Sequence, residues 1–270
     1  MNTLRSFVSR HSLIVFFVLT AVLSWFLMIW DPHSINAYGP LVSALVLLGI
    51  ISGWSGVRDF LRRIVQWRVG VQWYVVVLGL PVVIAVATVA LGRLLGAEIV
   101  PPQAMPPVGD TIATVLFILL YIGLGEEPAW RGFALPRLMV GRTALAATLI
   151  LGVFHASWHL PLAGVEYDWQ NVVPWFMLVM SGAVVFTWVY QNTRGTLLLP
   201  ILQHTSVNVS AKYLFFPSFG EADILLAWWL LAGLWFVVAV TLVLVMGPNL
   251  VRRNAPASAI PYAGEPITVK

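Results

Sequence analysis

Apolar residues run along this chain in eight long stretches, at roughly 12–30, 38–54, 73–92, 111–130, 144–162, 172–190, 196–214 and 224–246. Within each stretch apolar side chains surround the segment instead of marking one stripe, which is the pattern of a helix buried, or bathed in lipid, on every side. No segment alternates with the two-residue period of a barrel strand. A backbone in lipid must satisfy its own hydrogen bonds, which favours helices, and about 20 residues span a bilayer core. The pattern predicts an all-α, polytopic membrane helical bundle with about eight transmembrane helices. The first run follows Arg5 and Arg10, and no small-residue cleavage site comes after it, so it reads as a retained anchor.

Three segments break the pattern. Residues 56–70 mix arginines and apolar residues at helical spacing and are expected to lie along the cytoplasmic surface. Residues 132–143 contain Pro136, Arg137 and Arg142 and are expected to form a bent interfacial segment. Residues 254–270 are rich in Pro and Ala and lack periodicity, so a disordered cytoplasmic tail is expected there. The resulting division is 1–110 for the first three helices with the interfacial segment, 111–214 for a central core, 215–253 for the last helix, and the tail.

Composition narrows the class. Sixty per cent of the 270 residues are hydrophobic and 10% are charged, against about 45–50% and about 25% in soluble domains. A soluble enzyme of this size would lack polar residues to cover its surface, so lipid is the expected solvent. The net charge of +4 does not point to nucleic acid, because the basic residues are segregated. With the N-terminus in the cytoplasm and eight crossings, the inner segments hold Arg5, Arg10, Arg58, Arg62, Arg63, Arg68, Arg131, Arg137, Arg142, Arg194, Arg252, Arg253 and Lys270, leaving only Arg93 and Lys212 outside. The outer loops carry Asp31, Glu98, Asp110, Glu166, Asp168, Glu221 and Asp223. This positive-inside bias predicts a multi-pass protein of the cell membrane with both termini cytoplasmic. There are no cysteines, which excludes disulfides and thiolate sites.

Charged groups at membrane depth cost about 2.5–3.5 kcal/mol on insertion scales, so those that occur there invite a functional reading. Glu126 and Glu127 are adjacent and point about 100° apart on a helix, so they serve different partners. Arg131 lies four residues after Glu127, the spacing of a helical ion pair, which leaves Glu126 to face another helix as a candidate general base. Pro128 removes the N–H that would bond the Leu124 carbonyl, so a bend or a water beside the glutamates is expected. His155 and His159 share one helical face, at the spacing of paired metal ligands. His204 and Asn208 do the same on a later span, and an Asn side chain can donate to an oxyanion. The plainer readings are a capping Glu–Arg pair, an interfacial histidine beside Trp158, and polar residues bridging helices.

Register links these groups. Glu126 lies 16 residues before Arg142 and His159 lies 17 after it, so an antiparallel hairpin sets them level. His204 is about ten residues beyond Arg194, roughly 15 Å deep at 1.5 Å per residue. If 132–143 lies at the interface, Glu126, His159 and His204 line one cavity opening to the cytoplasm. If that segment is a straight helix, Glu126 and His159 sit too deep to meet His204.

At these residues the chain resembles the CAAX prenyl protease and bacteriocin-processing (CPBP, or Abi) family of intramembrane proteases. The matching motifs are EE-x-x-x-R at Glu126, Glu127 and Arg131, the next-span His159, and H-x-x-x-N at His204 and Asn208, over about residues 110–212. The resemblance implies peptide-bond hydrolysis of a membrane-associated protein or peptide, with Glu126 activating water, His159 and His204 orienting it, and Asn208 assisting at the oxyanion. Glu127, Arg131 and His155 are supporting residues. His155 departs from the family, which usually has an aromatic residue four before His159. Either no cofactor is required, or a divalent metal such as zinc sits on Glu126, His159 and His204. Competing readings are a non-catalytic scaffold or immunity or envelope factor, and a proton-coupled transporter. The transporter predicts paired half-chain repeats, which are not evident in the sequence.

Overall fold

A computed structural model describes residues 2–101 and 104–251. The tail expected to be disordered, 254–270, lies outside the described residues. Among the described residues the regular structure is helical, with two isolated β-bridges and no extended strand. A short helix α1 (Asn2–Arg10) precedes α2 (Ser12–Ile29), α3 (Tyr38–Ile64), α4 (Val71–Leu94), α5 (Val108–Leu138), α6 (Ala144–Leu162), α7 (Trp169–Asn192), α8 (Leu198–Ser210) and α9 (Glu221–Met246). Seven of these, α2–α7 and α9, are long and apolar enough to cross a membrane. The remaining long-chain crossing expected from the sequence is α8, extended by a wide turn over Ala211–Phe215. It carries Gln203, His204 and Asn208, and Leu199, Pro200, Ile201, Gln203 and Thr205 are buried in the bundle. Protein rather than lipid is its solvent, so it tolerates polarity the outer helices avoid.

Gly53 breaks α3 with φ +65° and ψ −164°, a backbone region that only glycine enters without strain. The helix resumes as the arginine-bearing stretch that ends at Ile64, with Arg58, Asp59 and Arg62 exposed and Phe60 buried beneath it. The amphipathic pattern of 56–70 therefore becomes a distinct helical piece only as far as Ile64.

Segment 132–143 departs from expectation. It is no bent interfacial strip, because α5 runs on to Leu138, and Gly132, Phe133, Ala134 and Leu135 are buried. Two wide π-type turns, Ile118–Gly123 and Pro128–Ala134, absorb the missing N–H of Pro128 without ending the helix. At Gly132 an added Cβ would lie 2.8 Å from both Leu197 and Phe60 side chains, which shows how closely neighbours press on this turn. Arg137 folds over the Phe133 ring at 3.6 Å and donates to the Phe133 carbonyl at 2.9 Å. The arginine that made the segment look interfacial is thus accommodated by its own helix.

The main core joins α2, α3, the second half of α5 and α6 around Phe16, Leu47, Trp130, Phe133 and Leu151. A second core packs α4, α7, α9 and the turn after α8 around Ile84, Val185, Phe215 and Trp228. Between the two lies the cavity described next.

Candidate active site

Glu126 and Glu127 occupy a short regular piece of α5 flanked by the two wide turns, and both are buried. Small residues bring other helices against it. A Cβ on Gly125 would fall 2.5 Å from the Ala37 carbonyl oxygen, and one on Gly123 would fall 3.0 Å from that of Ile201. The residue that caps α3 and the first turn of α8 therefore press on the α5 backbone just before the glutamates.

The adjacent carboxylates serve two separate partner sets. Glu126 Oε2 lies 3.1 Å from His155 Nε2 and 3.9 Å from His159 Nε2, and Trp130 Nε1 donates to it at 3.4 Å. Glu127 takes the other set. Arg131 Nη1 lies 3.0 Å and 3.2 Å from its two oxygens, and His204 Nδ1 lies 2.7 Å from Oε1. Arg131 is 2% exposed, and its guanidinium sits 4.6 Å from the centre of the Phe186 ring. The structure thus joins His159 to Glu126 and gives His204 to Glu127. A helix through Leu138 was expected to leave Glu126 and His159 too deep to meet His204, yet all three line one cavity. His204 still reaches the centre because the second glutamate points towards α8.

Glu126, Glu127, Arg131, His155, His159 and His204, with Asn208 one turn beyond His204, line one cavity of about 750 Å³. Apolar groups such as Leu178, Val207 and Trp228 cover much of its remaining wall. The cavity wall also includes His33, Glu166 and Tyr167, which belong to the acidic loops and not to the arginine-rich turns.

Three contributors escape the motifs. Trp130 is one helical turn after Glu126, a spacing that signals contact. Tyr167, in the loop after α6, donates its hydroxyl to the His159 carbonyl at 3.2 Å and stacks on Trp175, whose ring meets His159 edge-on at 5.2 Å. No local pattern marks that loop. Burial, with Glu166 adding to it, pushes the Tyr167 phenol up to about 12, so it remains a donor throughout the working range. Partial desolvation likewise raises the Glu166 carboxyl above its ordinary value, although the residue stays exposed.

One group of potential metal donors stands out among the described residues. The ligand atoms of Glu126, His155 and His159 lie within 4.8 Å of one another. Two imidazoles and a carboxylate make up a common zinc donor set, so these residues fit a divalent metal better than a set that includes His204.

Helices long and apolar enough to span a membrane, enclosing a carboxylate–imidazole centre, define a polytopic membrane protein with an internal polar site. Residues 108–210 match the sequence model of the family described as type II CAAX prenyl endopeptidase Rce1-like. Over 109 residues the chain is 29% identical to a Methanococcus maripaludis protein named CAAX prenyl protease 2, covering 37% of this chain and 40% of that relative. Over this segment the resemblance to the CAAX protease family is borne out. The chain matches less than half the length of that relative.

Proposed function

We propose that the protein is an intramembrane endopeptidase that hydrolyses a peptide bond of a membrane-associated protein or peptide. The observation that carries this reading is the Glu126 carboxylate, 3.1 Å from His155 and 3.9 Å from His159, at the wall of a largely apolar cavity. A water held between Glu126 and His159 would give up a proton to Glu126 as it attacks the scissile carbonyl. Glu126 would then return that proton to the leaving amide nitrogen. His155 and Trp130 hold the Glu126 oxygen in place. Arg131 neutralises Glu127, and Glu127 accepts from His204 Nδ1 and fixes the ring; protonated on both nitrogens, that ring would offer Nε2–H to the developing oxyanion, with Asn208 beside it. If a divalent metal such as zinc is bound, Glu126, His155 and His159 would hold it, and it would polarise water or carbonyl.

The substrate would be an apolar or lipid-anchored segment, the bilayer its delivery route, and a cell membrane with both termini cytoplasmic its setting. The scaffold reading gives no reason for two buried carboxylates, each with its own histidine partner. The test is cleavage of membrane-anchored peptides by the protein in liposomes. Glu126→Gln should abolish product, by about 10²–10⁴-fold in rate, while leaving the unfolding transition in place. Equal cleavage by the variant would refute the assignment.

A further inference from the structure

Apart from the cavity around the glutamates, a second concavity of about 570 Å³ lies among the arginine-bearing turns of the bundle. One wall is the link between α3 and α4 with the first turn of α4, and it brings Trp67, Arg68 and Trp73. The other wall is the turn after α7, with Thr193 and Arg194. The two walls are tied together. Arg63 donates to the Gly195 carbonyl and to the Tyr190 hydroxyl, each at 2.7 Å. Leu197 N–H donates to the Arg63 carbonyl at 2.9 Å, and the Thr196 hydroxyl to that of Gln66 at 2.7 Å. The Tyr74 hydroxyl holds the Trp67 carbonyl at 2.7 Å. This frame fixes the backbone of both wall arginines before any ligand arrives, which lowers the cost of binding.

The two arginines have no work inside the fold. Arg68 and Arg194 are exposed, and among the described residues no carboxylate lies within ion-pair distance of either. Arg68 rests against the Trp67 ring, 5.4 Å from its centre. No acidic residue lines the concavity. Arg58 and Arg62, by contrast, share Asp59 on the surface of α3. Arg194 also adopts a φ of +56°, a left-handed conformation at a helix end where glycine would carry no steric cost. A strained backbone kept under an unpaired charge points to a task for that charge.

The flank beside the concavity defines what the charge meets. Val71, Val75, Leu78 and Val82 are exposed, and their spacing of four, three and four sets them in one stripe along α4. The stripe starts directly after Gly70, a residue of the concavity wall. Tryptophans such as Trp67 and Trp73 gather where a membrane meets water. A soluble anion would use the guanidiniums and leave the stripe bare, whereas a lipid uses both. We propose that this concavity binds the phosphate headgroup of an anionic membrane lipid, held by Arg68 and Arg194, with an acyl chain along the α4 stripe. Planar guanidiniums match phosphate oxygens with paired hydrogen bonds, and basic pockets between spanning helices take such headgroups. The site touches none of the groups around Glu126, so it stands whether or not the protein cleaves a peptide.

The test is native mass spectrometry of the full chain in detergent micelles. The protein is titrated with phosphatidylglycerol or with phosphatidylcholine of the same acyl chains, and retained lipid is counted. Wild type should retain phosphatidylglycerol in preference to phosphatidylcholine. Arg68→Gln and Arg194→Gly should each weaken that retention about fivefold, and the pair about 25-fold. Arg194→Gly also relieves the left-handed φ, so its unfolding temperature should be no lower than that of wild type. Arg58→Gln with Arg62→Gln removes two charges outside the concavity and should leave retention unchanged. Inorganic phosphate in large excess should not displace the lipid. Equal retention of phosphatidylcholine, unchanged retention in the Arg68 and Arg194 double variant, or a loss as large in the Arg58 and Arg62 variant would overturn the proposal. So would displacement by inorganic phosphate, which would make a free anion the occupant. A lower unfolding temperature for Arg194→Gly with retention intact would assign that arginine to the fold and overturn it as well.

Discussion

Arg131→Met tests the polar centre most sharply as a piece of structure. The substitution keeps an apolar chain in the space but removes the charge that lies 3.0 Å and 3.2 Å from the Glu127 oxygens. Both side chains are almost wholly buried, at 2% and 1% exposure, so water does not replace the lost partner. Removing one member of a buried pair costs about 3–5 kcal/mol, because the other charge is left uncompensated. Loss of the guanidinium from the Phe186 ring, 4.6 Å away, adds up to about 2 kcal/mol where the contact is desolvated. Part of that is regained by the methionine stem. Glu127→Gln alone should cost a similar amount for the mirror-image reason, as it strands Arg131. The double variant removes both charges and should be more stable than either single one. The assay is reversible unfolding in mixed micelles by titration with SDS, followed by tryptophan fluorescence. An Arg131→Met loss below about 0.5 kcal/mol, as for a surface pair, would refute the reasoning. So would strict additivity in the double variant.

Three other substitutions probe separate parts. Gly125→Ala puts a Cβ 2.5 Å from the Ala37 carbonyl oxygen. Backbone cannot yield cheaply, so a loss of about 1–3 kcal/mol is expected in the same unfolding assay, with reduced cleavage. His155→Phe keeps the ring but deletes the 3.1 Å contact to Glu126. Cleavage kinetics should show kcat reduced by roughly 10²-fold with KM little changed, and an unchanged kcat would leave His159 as the working partner. Tyr167→Phe removes the bond to the His159 carbonyl, worth about 0.5–1.5 kcal/mol. Burial, with Glu166 adding to it, pushes the phenol up to about 12, above its ordinary value of 10.0. Its donor bond is therefore fully present below about pH 10 and fades only as pH rises through about 12. The wild-type advantage over Tyr167→Phe should stay level from pH 5 to 9, and a step inside that range would contradict the assignment.

Much of the bundle was readable because lipid imposes a simple rule on composition, and seven of the eight apolar stretches became helices long enough to cross a membrane. The division of labour between Glu126 and Glu127 was also readable. Adjacent helical positions diverge by about 100°, and Arg131 falls at the ion-pair spacing from only the second of them. The pairing of His159 with Glu126 followed from hairpin register. His204 does share one cavity with Glu126 and His159, but its bond to Glu127 was not legible, and the depth of 132–143 was left open because apolar residues mixed with Pro and Arg read equally as a surface helix or as the buried end of a long one. The wide turns at Ile118–Gly123 and Pro128–Ala134 decide between these, and a sequence does not announce how a helix spends an unpaired carbonyl. The loop wall of the cavity was hidden for a different reason. It depends on the loop residues His33, Glu166 and Tyr167 coming together, and these are distant in sequence and carry no periodic signal. His155 stood at the position where the resembling family keeps an aromatic ring, and its 3.1 Å contact with Glu126 follows from lying one turn before His159 on the same face.

The central claim is that Glu126 acts as a base on water and forms no bond to the substrate. A single-turnover cleavage in water enriched in oxygen-18, with enzyme in excess over a membrane-anchored peptide, measures this directly by mass spectrometry. The heavy oxygen should appear in the new carboxyl terminus of the product, with none on the enzyme fragment that contains Glu126. Heavy oxygen on Glu126, or a product released with none, would contradict it.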